Sequence, residues 1–261
     1  RKYKPETIFN GRGLLPEGLV LITKNNGIIE SILPENEAGD DVQPLQGILC
    51  PGFVNAHCHI ELSHMKGLIP ERGGLVNFVQ EVMAKRNEVP VADRWIAMAA
   101  AQKELYESGT IAVGDICNGT DSFELKKNSP LYWHNFIEVS SFVDAAAERR
   151  LAEVEILVKY FKNNSKEEKF NQTTLSPHAP YSVSKKLFEL LNEKTAHQLI
   201  SIHNQETAAE NELYQNKSGA FLELYKNLAI NIHHFLPTGK SSMQSWLPYF
   251  TNSQKIIAVH N

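Results

Sequence analysis

The rhythm of hydrophobic and polar positions changes once along the chain, at Pro51. Residues 1–50 carry no helical periodicity. Short apolar stretches at Thr7–Asn10, Leu19–Thr23 and Gly27–Leu33 are bounded by turn-forming residues and read as strands. Asn25-Asn26-Gly27 separates the last two, and Asn and Gly tolerate the positive φ of a tight hairpin turn. Gly39-Asp40-Asp41 reads as a loop. From Pro51 onward, apolar runs of strand length alternate with amphipathic stretches of helical spacing. The strands expected are Gly52–His57, Thr110–Ile116, Leu131–Val139, Thr173–Pro177, Leu199–His203 and Ile256–His260, with Ile230–His233 as a further short candidate. The helices expected are Leu75–Lys85, a stretch capped by Asp93 and running to Tyr106, Ala145–Phe161, a stretch capped by Ser184 and running to Ala196, and most of Ala208–Tyr225. In the second helix Ile96, Ala97, Ala100 and Leu105 are expected to face inward. Such alternation argues for βα units around a parallel sheet. A two-domain dinucleotide-binding fold would share that alternation, but no Gly-x-Gly-x-x-Gly and no Walker loop follows any strand.

Composition narrows the picture. With 261 residues, 42% of them hydrophobic, the chain holds one large domain, or one and a small companion. A net charge of −4 offers no general attraction for nucleic acid or anionic membranes. Lys126-Lys127 and Arg149-Arg150 are isolated pairs and read as solvated faces. Three cysteines, Cys50, Cys58 and Cys117, make no disulfide framework and fit a reducing compartment such as the cytoplasm. No apolar run approaches the 18 or so residues of a membrane span.

The candidate chemistry gathers where strands end. Polar residues at or just past these ends are His57 and His59, Asp115, Glu138, His178, His203 and His260. The run Phe53-Val54-Asn55-Ala56-His57-Cys58-His59 follows the Pro51-Gly52 break. On a strand, side chains at i and i+2 share a face roughly 6–7 Å apart, so two imidazoles there can converge on one metal. Alternation turns Cys58 to the other face, where it packs. Glu61, two residues beyond His59, is within reach of a polar group on a substrate. His64, His134, His197, His233 and His234 read as ordinary surface or core histidines. His-Glu-x-x-His, Pro-Cys-x-x-Cys and Gly-x-Ser-x-Gly are all absent, which removes three other hydrolase designs.

Pro51-Gly52-Phe53-Val54-Asn55-Ala56-His57-Cys58-His59 resembles the first barrel strand of the amidohydrolase superfamily, in particular its cytosine/guanine-deaminase and chlorohydrolase-like branch. His203-Asn204-Gln205-Glu206 after an apolar strand resembles the fifth-strand signature of that family, and Pro177-His178-Ala179-Pro180 its strand-four segment. The resemblance implies a (β/α)8 TIM-type barrel over residues 51–261, with residues 1–50 forming part of a small β-sandwich. It implies one divalent metal, zinc or alternatively iron, held by His57, His59 and His203. Glu206 would be the proton shuttle, His260 would lie beside the attacking water, and His178 would contact a small-molecule substrate. The reaction implied is hydrolysis of a C–N bond other than a peptide bond, deaminating a purine-, nucleoside- or triazine-like ring. Dechlorination of a similar ring and metal binding without catalysis stand as alternatives. A homodimer is compatible with the family. The resemblance also implies a last metal ligand, an Asp after an eighth strand. Six strands are found, and a barrel lacking two would leave unpaired edges. The sequence is therefore expected to be a C-terminally incomplete version of a longer protein, with that Asp beyond residue 261.

Overall fold

A computed structural model of the protein describes residues 1–165 and 171–260. Two compact units divide at the start of the His57 strand, Arg1–Phe53 and Val54–Asn261.

The first unit is all β: β1 Lys2–Lys4, β2 Thr7–Ile8, β3 Leu19–Thr23, β4 Ile29–Pro34, β5 Val42–Pro44 and β6 Ile48–Leu49. Its larger sheet has the order β4-β3-β1-β5, and β2 pairs with β6. The expected hairpin joins β3 to β4, antiparallel, with Gly27 at φ 83° and the Lys24 amide donating to Ile28 O at 2.8 Å. Strands β1, β5 and β6 span two or three residues each. That is too short for alternation to show, which is why pattern alone passed over them.

The second unit is α/β. Its strands are β7 Phe53–Cys58, β8 Thr110–Cys117, β9 Tyr132–Val139, β10 Asn171–Pro177, β11 Leu199–His203 and β12 Lys255–Val259. Its helices are α1 Leu75–Lys85, α2 Val91–Glu107, α3 Phe123–Lys127, α4 Ala147–Asn164, α5 Lys185–Lys194, α6 Ala208–Asn216, α7 Ala220–Asn227 and α8 Ser242–Trp246. Strands β7 to β10 form one sheet in sequence order, with β8, β9 and β10 parallel, and β11 pairs parallel with β12. Between β10 and β11 the join is partly through side chains. The Ser201 amide donates to Ser176 Oγ at 3.1 Å, and the His203 amide to His178 O at 3.0 Å. Gly114 allows β8 to lie close against β7: a Cβ built there would stand 2.5 Å from Ala56 O.

The main core fills the space between β9, β10, β11 and the helices α4, α5 and α8. Phe161, Leu187, Leu191, Val139, Ile202 and Trp246 are all buried there. Ser184 caps α5 as expected, accepting from the Leu187 amide. Three expectations are corrected, and the stretch expected to be mostly helical is so, with one break. The α2 helix begins two residues before Asp93, after Pro90, whose ring presets the entry angle, and Asp93 lies in its first turn. Ile96 and Ala100 point outward, while Met98 is the residue buried. The Ala208–Tyr225 stretch breaks at Lys217 (φ 52°) and Gly219 (φ 88°) into α6 and α7. Ile230–His233 is not a strand; the Ile232 and Phe235 carbonyls accept from Lys217 Nζ at 2.9 and 2.7 Å instead of from a neighbouring strand.

Lys126 is the largest surprise of the core. It does not join a solvated face; its ammonium is fully buried 2.5 Å from Asp115 Oδ2, and it also donates to Asn135 Oδ1 at 2.9 Å. A buried charge is tolerated when paired and hydrogen-bonded in this way.

Candidate metal centre

The polar ends of the second unit's strands converge. His57 lies within β7 and His59 immediately follows it, and their Nε2 atoms stand 3.0 Å apart. His203 closes β11, and its Nε2 is also 3.0 Å from that of His59. Two nitrogens bound at about 2.0–2.1 Å to a common tetrahedral ion lie roughly 3.3 Å apart, so the three imidazoles fit one metal. Their protonation fits as well. Burial, reinforced by the neighbouring imidazoles, lowers His57 to about 4 and His59 to about 2, and burial lowers His203. All three present neutral nitrogens, the form that ligates. Cys58 turns away into the apolar cluster around Ile60 and Met98, where burial pushes its thiol up to about 12.

His178 sits just past β10, in the Pro177–Pro180 turn. Its backbone carbonyl accepts from His203 Nδ1 at 2.8 Å, and its Nδ1 lies 2.5 Å from Ser182 Oγ. Glu206 follows β11 by three residues. The Tyr181 hydroxyl donates to its Oε2 at 3.4 Å, and His260 Nε2, just past β12, stands 3.7 Å from its Oε1. Burial raises the Glu206 carboxyl, while His260 opposes that shift. The turn carrying Glu206 is held from below. Buried Glu210 accepts from the Gln205 amide at 3.0 Å, with Gln205 at φ 50°.

His57, His59, His178, His203, Glu206 and His260 all line one cavity of about 710 Å³. Glu61 does not. Strand alternation would have put it on the face of His57 and His59, but a 3-10 helix, Ile60–Met65, replaces the strand after His59. Glu61 instead accepts from the Asn118 amide at 2.9 Å and the Gly119 amide at 3.3 Å, and burial raises it to about 7. It ties the segment after β7 to the loop after β8. Asp115 does related work: its Oδ1 accepts from the Ile60 amide at 2.8 Å, fixing the residue next to His59.

The cavity also contains residues to which the sequence assigned no role. Arg86, Asn118, Glu138 and Tyr181 line it. Of these, only Glu138 carried a signal, its position at the end of an apolar strand. Apart from Ser140 the remaining wall is apolar: Leu75, Phe78, Val79, Val82 and Met83 of α1, with Leu62, Met65 and Ile69 from the segment before it.

The model of the Amidohydrolase family matches residues 48–238. Aminodeoxyfutalosine deaminase of Nitratiruptor sp. is 26% identical over 184 residues, covering 69% of this chain and 44% of the relative. The chain spans about half the length of the curated relatives it matches. Among solved structures, Helicobacter pylori aminofutalosine deaminase with methylthio-coformycin superposes with a TM-score of 0.75 at 24% identity, over 89% of this chain and 58% of that one. A zinc-bound adenosine deaminase from Xanthomonas campestris gives 0.63 at 19% identity, over 88% and 55%. With most of its length matched by the family model, His57, His59, His178 and His203 included, the chain belongs to the amidohydrolase family.

Proposed function

We propose that the protein is a metal-dependent aminohydrolase that deaminates an adenosine-like nitrogen heterocycle. The observation carrying this reading is the convergence of three neutral Nε2 atoms in one cavity with a half-buried carboxyl, Glu206. His57, His59 and His203 would hold a single divalent ion, zinc being the ion bound by a structural neighbour. When bound, such an ion lowers the pKa of a water toward 7. The second unit is read as barrel strands one to six of a (β/α)8 fold, and the first as part of a small β-sandwich.

The chain's own residues divide the remaining work. Glu206, its carboxyl raised by burial, takes a proton from the attacking water and returns it to a ring nitrogen. A carboxyl poised nearer neutrality does both halves of that transfer better than an ordinary one. Tyr181 holds Glu206 in place. His260 faces both Glu206 and His57, and orients the water or the developing alkoxide. His178 presents its ring to the cavity from a turn fixed by two prolines and holds the heterocycle. Water adds to the amidine carbon as its first proton passes through Glu206 to the ring nitrogen; the second, from the new hydroxyl, passes to the amino group as the carbonyl forms, the C–N bond breaks and ammonia leaves.

Ammonia release from adenosine, guanine and an aminotriazine, measured together with metal content, tests this reading. Metal-dependent release from an adenosine-type compound is expected. Bound metal with no release from any of them would overturn the reading and leave dechlorination or metal binding without catalysis.

A further inference from the structure

Among the described residues, Glu138 is the one cavity-lining carboxylate with a buried oxygen that has no hydrogen-bond partner. It lies near the C-terminal end of β9, its side chain is 8% exposed, and it lines the cavity. The Asn118 side chain hydrogen-bonds to it, while Oε1 is buried without a partner. His203 does not fill that role. Its Nδ1 is 3.8 Å away, beyond hydrogen-bond reach, and its proton already goes to His178 O. A buried acceptor left unpaired is costly, and a donor arriving with a ligand removes the cost.

The surroundings define the donor. Arg86 is the one Lys or Arg among the described lining residues of the cavity, which also include two carboxylates, Glu138 and Glu206. A phosphate set against Glu138 itself would meet a like charge, whereas a neutral donor would not. The volume of about 710 Å³ lies well up the range of roughly 300–1,000 Å³ that holds drug-sized ligands, so the cavity has room for more than a bare ring. A hydroxyl suits the spot because it donates to a carboxylate while accepting from a neighbouring amide or guanidinium. Resting on the aminohydrolase reading above, we propose that Glu138 is a specificity-determining residue that accepts hydrogen bonds from the hydroxyls of a sugar attached to the heterocycle. The site thereby selects a nucleoside over both the free base and the nucleotide. The apolar face of α1 then covers whatever neutral group extends beyond the sugar.

The test is binding without turnover. Calorimetry with inosine, hypoxanthine and inosine monophosphate is run on the metal-loaded protein, on Glu138→Gln, which keeps the shape, and on Glu138→Leu, which removes both acceptors. The wild type should bind inosine most tightly. Each variant should lose roughly tenfold or more for inosine, change by less than about threefold for hypoxanthine, and keep its metal content. Equal losses for inosine and hypoxanthine, or loss of metal, would show Glu138 to be a support for the site and overturn the proposal. So would undiminished inosine binding, or tighter binding of the monophosphate. Failure of the aminohydrolase reading is separately visible, as a wild type that releases ammonia from no substrate whatever these affinities are.

Discussion

His203 Nδ1 lies 2.8 Å from the backbone carbonyl oxygen of His178. A carbonyl only accepts, so the proton is on Nδ1 and the Nε2 lone pair faces His57 and His59. One hydrogen bond between the ends of neighbouring strands thus fixes both the tautomer and the ring orientation of a candidate ligand. Backbone partners of this kind commonly orient metal-binding histidines.

The proposed proton shuttle should be separable from the metal site. Glu206→Gln should fold and keep its metal, because the side chain is anchored by Tyr181 and the turn by Glu210. Turnover should fall by about a hundredfold or more, since an amide cannot shuttle protons. Steady-state kinetics beside metal analysis checks this. Turnover like the wild type's would reduce Glu206 to a carboxylate at a helix start.

Lys126 holds the centre of the second unit. Lys126→Met leaves Asp115 as an uncompensated buried charge, which costs about 3–5 kcal/mol. Asp115 also holds the Ile60 amide, so the residue next to His59 should loosen as well. Chemical denaturation should show a large loss of stability, and metal affinity should weaken beside it. A midpoint within error of the wild type would contradict the structural role.

What the sequence disclosed follows from how local each signal is. All six long strands of the second unit were legible, because an apolar run ending in a histidine or carboxylate is visible within a few residues. Ser184 was legible for the same reason. Glu61 lies outside the cavity's lining because the chain winds into a 3-10 helix after His59, which nearness along the sequence does not reveal. Lys126 was misjudged because its partners Asp115 and Asn135 are 11 and 9 residues away on other elements. The unpaired oxygen of Glu138 is a property of the assembled cavity, which no spacing rule reveals.

Gly114 has a steric requirement that can be tested directly. Gly114→Ala would bring a Cβ to 2.5 Å from Ala56 O and 2.9 Å from the Phe136 ring, pushing β7 away from β8. Overpacking of this kind costs about 1–3 kcal/mol. A lower melting temperature is expected, with weaker metal retention because His57 follows Ala56. An unchanged melting temperature would show that the strands can separate without cost.

His134 provides a pH dependence away from the metal centre. Its ring stacks on Phe136, and burial lowers it from 6.5 to about 4. Between those values the unfolded chain carries the proton and the folded chain does not. Stability from this group is therefore complete above pH 6.5 and is lost as pH falls toward 4. Denaturation midpoints at pH 7 and pH 5 should fall further apart in the wild type than in His134→Gln. Equal spacing in the two proteins would contradict the shift.

The central claim is that His57, His59 and His203 together hold one divalent ion. Elemental analysis of the wild type beside His57→Ala and His203→Ala, each purified without chelator, tests it most directly. A site with three known protein ligands cannot spare one, so the wild type should carry about one ion per chain and each variant should lose most of it. Full retention of metal in both variants would contradict the assignment.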